Sequence, residues 1–191
     1  GYQSLSLVKD RSLLVFNADK GMESLYCLPL GELREPLGAM AHADGIVVAY
    51  ENVSDRERWV HWLEEICPGK PIFPARRRYG AVQGSNGELL GEPYPSFLAF
   101  CGLAEPGGFF RYAKSVLGAK AVVPFADHHA YTEHDMSGLW ASAARVGATH
   151  LVCTEKDSHK IKNLFPALPQ PCVVRLGYEF PDEFWYFLRD I

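Results

Sequence analysis

The sequence holds 191 residues, of which 48% are hydrophobic and 22% charged, with a formal net charge of -4. This is the composition of a globular protein with a real core, and its negative balance excludes nucleic-acid binding through bulk positive charge. No apolar run is long enough to cross a bilayer, and the five cysteines (Cys27, Cys67, Cys101, Cys153, Cys172) fit neither a disulfide framework nor a zinc knuckle, so they read as reduced and mostly buried.

The chain opens on Gly1-Tyr2-Gln3 without a Met, which suggests part of a longer protein. Ser12 to Ala18 is a short apolar run, predicted as a strand that ends in a polar turn at Asp19-Lys20-Gly21. Leu33 to Ala43 carries Leu37, Met40 and Ala41 at helical spacing. Gly45 to Tyr50 is a second strand. Neither strand alternates, as expected of parallel strands covered on both faces. Ser54 and Glu57 form a predicted capping box, and Trp59, Trp62, Leu63 and Ile66 make the apolar stripe of the helix that follows. Pro68-Gly69 stops it, and Pro71 to Pro74 starts another short strand.

From Arg76 to Pro95 the character changes. Arg76-Arg77-Arg78 reads as a solvated face, although such a cluster also suits an anionic ligand. Two short extended runs flank Gly84-Ser85-Asn86-Gly87, which signals a hairpin. The expected organisation is a first unit over 1–78, a two-stranded linker over 79–94 and a second α/β unit over 95–191.

The second half restarts the β-α rhythm at Phe97 to Phe100. Pro106 opens a helix that buries Phe109, Phe110, Ala113, Val116 and Leu117, and Gly118 stops it. The run Ala121 to Phe125 is a strand, and a helix with Met136, Leu139, Trp140 and Ala143 ends at Gly147. His150 to Cys153 is a strand running into Thr154-Glu155-Lys156-Asp157. A strand at Cys172 to Leu176 and an aromatic helix at Asp182 to Leu188 close the chain. Strands alternating with helices predict an α/β fold: two α/β/α units with mainly parallel sheets, joined by a two-stranded β linker.

Candidate chemistry concentrates in Asp127-His128-His129, between a predicted strand and a helix opened by a Thr132 and Asp135 capping box. Ligands favour loops at the carboxyl ends of such strands, and imidazole is the side chain best poised to move protons near neutral pH. The same residues could simply tie down a turn. Asp127, His128, His129 and His134 are also possible metal donors, but neighbours in an extended loop point opposite ways and rarely share one ion. Arg34-Glu35 could be a surface ion pair or could aim a guanidinium at phosphate. Glu155 in Thr154-Glu155-Lys156-Asp157 suits a helix start, a structural role. There is no P-loop: the Gly69-Lys70 pair is followed by Pro71 where Ser or Thr is needed. Dinucleotide-binding and nucleophile-elbow glycine motifs are missing too.

In order along the chain, Gly1-Tyr2-Gln3, Leu33-Arg34-Glu35-Pro36, Asp127-His128-His129-Ala130-Tyr131-Thr132 and Thr154-Glu155-Lys156-Asp157 resemble tetraacyldisaccharide 4'-kinase, the lipid A biosynthesis kinase of Gram-negative bacteria. Phe100 to Phe110 resembles its Gly-x-Gly-Asn-Pro segment and the Phe-Phe pair beyond it. The resemblance implies transfer of the ATP γ-phosphate to the 4'-hydroxyl of a lipid disaccharide 1-phosphate, with ATP and Mg²⁺ as cofactors. It implies no nucleic-acid partner. It also implies contact with the cytoplasmic face of the bacterial inner membrane, through an N-terminal region that this sequence lacks. His128 is similar to the family's second-domain catalytic histidine, which acts with an aspartate in the part of the family that precedes Gly1, and Asp127 is counted with the cleft positions. Gln3, Arg34 and Glu35 match positions lining the family's cleft. The family's P-loop and magnesium-associated aspartates would precede Gly1, so ATP and Mg²⁺ are expected to bind mainly outside this sequence, leaving the chain alone inactive.

Three segments depart from the family. Ser4-Leu5 replaces His-Arg, Gly21-Met22-Glu23-Ser24 replaces Gly-Asn-Gly, and Cys101 to Pro106 departs from Gly-Ile-Gly-Asn-Pro. Two rival readings follow: a non-catalytic truncated homologue that acts as a binding module, and a metal-dependent hydrolase using Asp127, His128 and His134.

Overall fold

A computed structural model describes residues 8–22, 25–31, 33–162, 164, 165 and 167–189. The chain divides into two compact units. One runs to residue 78 and includes the segment from 178 onward; the other spans 79–177.

In the first unit, β1 (Leu13–Asn17), β2 (Gly45–Tyr50) and the start of β3 (Ile72–Gln83) pair in parallel, with Phe16 opposite Val48 and Val48 opposite Pro74. All six residues of β2 are buried, which requires cover on both faces. On one face Ile46, Val48 and Tyr50 pack with Met40 and with Trp59 and Leu63 of α1 (Val53–Ile66). On the other, Val47, Phe73 and Ala75 pack with Phe184 of α5 (Asp182–Arg189). The Phe73 ring lies 5.3 Å from Phe184 and 5.0 Å from Phe187.

This packing differs from the expected unit over 95–191. Residues 178–189 belong with the first unit, because α1 covers only one face of β2 and the aromatic stripe of α5 covers the other. Two strands, β3 and β8 (Cys172–Glu179), run from one unit into the other. The hairpin lies within the second unit, where Val82 and Gln83 pair antiparallel with β4 (Leu89–Leu90) and Gly87 takes a positive φ of 86°.

Other local expectations also shift. The helix expected over Leu33 to Ala43 is only a 3-10 turn at Leu37–His42. Lys70 Nζ donates to the carbonyls of Met40, Ala41 and Ala43 at the end of that turn, a structural cap for the lysine that fails the P-loop pattern. Asn52 rather than Ser54 precedes α1. Arg76 to Arg78 is not a uniformly solvated face. Arg77 is largely buried, 2.8 Å from Asp19, and Arg78 pairs with Glu179 at 2.8 Å.

In the second unit the strand order is β8-β7-β5-β6, all parallel, with β5 at Phe97–Cys101, β6 at Ala121–Pro124 and β7 at His150–Thr154. Residues of β5 alternate between two cores. Phe97, Ala99 and Cys101 pack with Phe109 and Ala113 of α2 (Gly107–Ser115). Leu98 and Phe100 pack with Met136, Leu139 and Ala143 of α3 (Glu133–Arg145) and with Ile161 of α4 (Glu155–Ile161). The chain thus leaves β5 toward one face and leaves β6 and β7 toward the other. Such a divergence is the kind of switch point at whose carboxyl side open parallel sheets hold their ligands.

Candidate active site

Cys101-Gly102 ends β5, the Asp127 loop follows β6, and Thr154 ends β7. The ends of β5 and β7 are joined through Asp157, which is fully buried. Its Oδ2 accepts the Gly102 N–H at 3.1 Å and the Thr154 hydroxyl at 2.7 Å, while Thr154 Oγ1 accepts the Asp157 N–H at the start of α4. Gly102 suits this close approach. A Cβ there would stand 3.1 Å from the Ala126 carbonyl oxygen and 3.3 Å from both Asp157 Oδ1 and the Tyr131 hydroxyl. Burial, and then the negative charge of Asp157, pushes the Cys101 thiol up to about 12 and raises the Tyr131 phenol and the Cys153 thiol, so none of these is a ready nucleophile at neutral pH.

Above this buried layer sits the Asp127 loop. The His129 N–H donates to the Ala126 carbonyl at 3.1 Å, closing a turn with His128 at its tip. His128 takes a φ of 57°, a left-handed conformation that costs a non-glycine residue about 1–2 kcal/mol. Its side chain is 77% exposed, with Nε2 3.6 Å from Asp127 Oδ2. The other oxygen of Asp127 accepts from Lys156 Nζ at 3.0 Å. The hydrogen bond from Lys156, joined by the His128 amide, holds the Asp127 carboxyl below its ordinary value, so it is ionised at neutral pH.

The neighbouring imidazole has a different environment. His129 Nε2 lies 3.1 Å from Asp135 Oδ2, and its ring packs 4.7 Å from Phe125 and 5.1 Å from Tyr131. Asp135 also accepts from Thr132 N–H and Oγ1, completing the expected capping box of α3. His129 is therefore a packed residue and His128 a presented one.

Arg34 is exposed and Glu35 partly buried, just before the 3-10 turn in the first unit, whereas Asp127 and His128 belong to the second. Gln3 lies outside the described residues. Among the described residues no three His, Cys, Asp or Glu side chains are placed to share a metal ion, and His134 does not join His128 in such a group. Two contributors escaped the sequence reading: Gly102, and Asp157, whose motif was given a purely structural role through Glu155. The available signal was Thr154-x-x-Asp157 following a strand directly, with the aspartate one helical turn inside the buried end.

A sequence model of the family described as Tetraacyldisaccharide-1-P 4'-kinase matches residues 1–191. The tetraacyldisaccharide 4'-kinase of Methylobacterium nodulans is 35% identical over 185 residues, 95% of this chain and 51% of that protein. That of Bradyrhizobium sp. is 32% identical over 192 residues, 96% of this chain and 53% of that one. The solved structure of LpxK from Aquifex aeolicus, an "apo" form in complex with ATP, superposes with a TM-score of 0.62 at 22% identity over 97% of this chain and 53% of that one, and shares its fold. The chain spans about half the length of the curated relatives it matches. With this match over all 191 residues, the chain belongs to the tetraacyldisaccharide-1-P 4'-kinase family.

Proposed function

We propose that this chain is part of a lipid kinase that transfers the γ-phosphate of ATP to the 4'-hydroxyl of tetraacyldisaccharide 1-phosphate, and that it supplies the imidazole serving the acceptor. The observation that carries the reading is His128: an exposed imidazole at the ligand-binding end of a parallel sheet, in a chain matched throughout by this family. One ring nitrogen faces the Asp127 carboxylate and the other is left for a hydroxyl. In the step proposed, the hydroxyl oxygen forms a bond to the γ-phosphorus as its proton passes to His128. The bond from that phosphorus to the bridging oxygen breaks, and ADP leaves with the electron pair. Asp127 stabilises the imidazolium so formed.

In the same reading, Gln3, Arg34 and Glu35 take part in substrate binding. ATP and Mg²⁺ are held mainly by the part of the family that this sequence does not contain. The described residues offer no cluster suited to the metal, and no step is assigned to it. Contact with the cytoplasmic face of the inner membrane is also assigned to that part. Among the described residues, no helix is long and apolar enough to cross a membrane.

The test is a pair of variants in a full-length protein carrying this chain, assayed with ATP and the lipid acceptor. His128→Ala should lower kcat by roughly 10²–10⁴-fold, the usual contribution of a general base, with little change in melting temperature. His129→Ala should act mainly on stability. Activity lost in the second variant and kept in the first would reverse the assignment. A full-length wild type without turnover would favour the binding-module reading. The 191-residue chain alone should bind Mg-ATP no better than about millimolar, since it has no P-loop.

A further inference from the structure

Helix α4 follows β7 without a loop, and two of its residues, Lys156 and Lys160, are four apart and so share a face. Each reaches the His128 loop at a different point. Lys156 Nζ is 3.0 Å from Asp127 Oδ1, on the residue before His128. Lys160 Nζ donates to the carbonyl of His129, on the residue after it, at 3.4 Å, and lies 5.9 Å from the centre of the Tyr131 ring. Between them Asp157 is sunk into the sheet end, bonded to Gly102, with its Oδ1 3.6 Å from Lys160 Nζ.

We propose that Lys156 and Lys160 are positioning residues for His128, gripping its loop on both sides and holding its backbone in the left-handed conformation that presents the imidazole beyond the carboxyl end of β6. The proposal rests on the reading of His128 as the acceptor-side imidazole. The division of labour follows from what each ammonium touches. Lys156 acts on a side chain: it occupies one oxygen of Asp127, which fixes the carboxylate and leaves the other oxygen toward His128. Lys160 acts on the backbone, and its second partner is a buried carboxylate anchored to the sheet. A lysine serving only as surface charge would need neither contact. The Thr-Glu-Lys-Asp motif and the Asp-His-His motif are then one device: the first sets the position of the second.

Two readouts test this, and only one needs activity. In the 191-residue chain, ¹³C NMR follows the titration of the Asp127 carboxyl. Lys156→Met should move it upward while amide spectra stay dispersed, and Lys156→Arg should return it most of the way. In the full-length protein, Lys156→Met should lower kcat by about 10- to 100-fold, the scale of a small misplacement of a reacting group, with KM for ATP and for the lipid unchanged. Lys160→Met should lower kcat per folded molecule in the same way. An unmoved Asp127 titration in Lys156→Met overturns the grip whatever the kinase assay shows, whereas a moved titration with no kinase activity in the wild type overturns only the proposed function. A rise in KM for the lipid at unchanged kcat also overturns the proposal, since Lys156 would then bind the substrate phosphate directly. Should Lys156→Met fail to fold, Lys156→Gln and Lys156→Arg provide the same contrast, and an Arg variant that folds but is as slow as Gln counts against it.

Discussion

Both units place a charged cluster at the carboxyl ends of parallel strands, and the two clusters have opposite characters. In the first unit, Arg77 of β3 meets Asp19 beyond β1 at 2.8 Å and Glu51 beyond β2 at 3.9 Å. The Glu51 N–H in turn donates to Asp19 at 2.9 Å. The three side chains are only 15–23% exposed, and each charge faces an opposite one. In the second unit the ionic contacts between Lys156, Asp127 and His128 end in a 77% exposed imidazole on a strained backbone. A closed, buried cluster fastens strand ends together. A cluster that holds one group in solvent on a strained backbone fits the ligand-facing role proposed for His128.

The comparison can be broken most decisively at its two centres. The largest effect expected is on rate, from His128→Ala as set out above. Arg77→Met should instead act on stability. Removing the cation takes a counter-charge from two largely buried carboxylates, a loss of about 3 kcal/mol. For a chain of this size that lowers the thermal midpoint by roughly 10 °C, measured by circular dichroism or calorimetry. A shift of only a degree or two would show that the first cluster is not the fastener described here.

Asp157→Asn should fall between these extremes. The amide oxygen can still accept from Gly102, but the ion pair with Lys160 is lost and an amide NH₂ must be buried. A cost of about 1–3 kcal/mol is expected in denaturant unfolding. A neutral result would mean that the hydrogen bond alone anchors α4.

The smallest effect concerns the capping box. Thr132 hydrogen bonds, assisted by His129, hold the Asp135 carboxyl below its ordinary value of 3.8. The contribution of that carboxylate is therefore fully present above the unfolded value and is lost as pH falls through the lower folded one. Thr132→Ala should cost about 1 kcal/mol at neutral pH, and its difference from wild type should shrink only below about pH 4. A difference that stays constant down to about pH 2 would show that the Asp135 carboxylate does not carry it.

Much of the second unit was legible in the sequence because its signals are local. The Thr132 and Asp135 box, the stops at Gly118 and Gly147 with φ of 63° and 70°, and the unbroken apolar strand at Phe97 each follow from residues within one turn of each other. The loop bearing Asp127 and His128 was legible for the same reason. What failed were inferences about partners distant in sequence. Arg77 pairs with Asp19 across 58 residues, and Gly102 with Asp157 across 55. The helix expected over Leu33 to Ala43 shortened to a 3-10 turn at Leu37–His42, and nothing in its own periodicity announced that.

The sequence by itself determined the α/β alternation, most element positions, the Asp127-His128-His129 loop as the place to look, and the family. These depend on hydrophobic period, capping chemistry and motif order, which are properties of neighbouring residues. Only the tertiary structure decided that α5 completes the first unit, that His129 is packed while His128 is presented, and that Lys156 and Lys160 of α4 contact the loop on either side of His128. Burial depends on which apolar faces remain uncovered once the strands pair. Which imidazole reaches solvent depends on one backbone angle, the φ of 57° at His128, which no composition or spacing specifies.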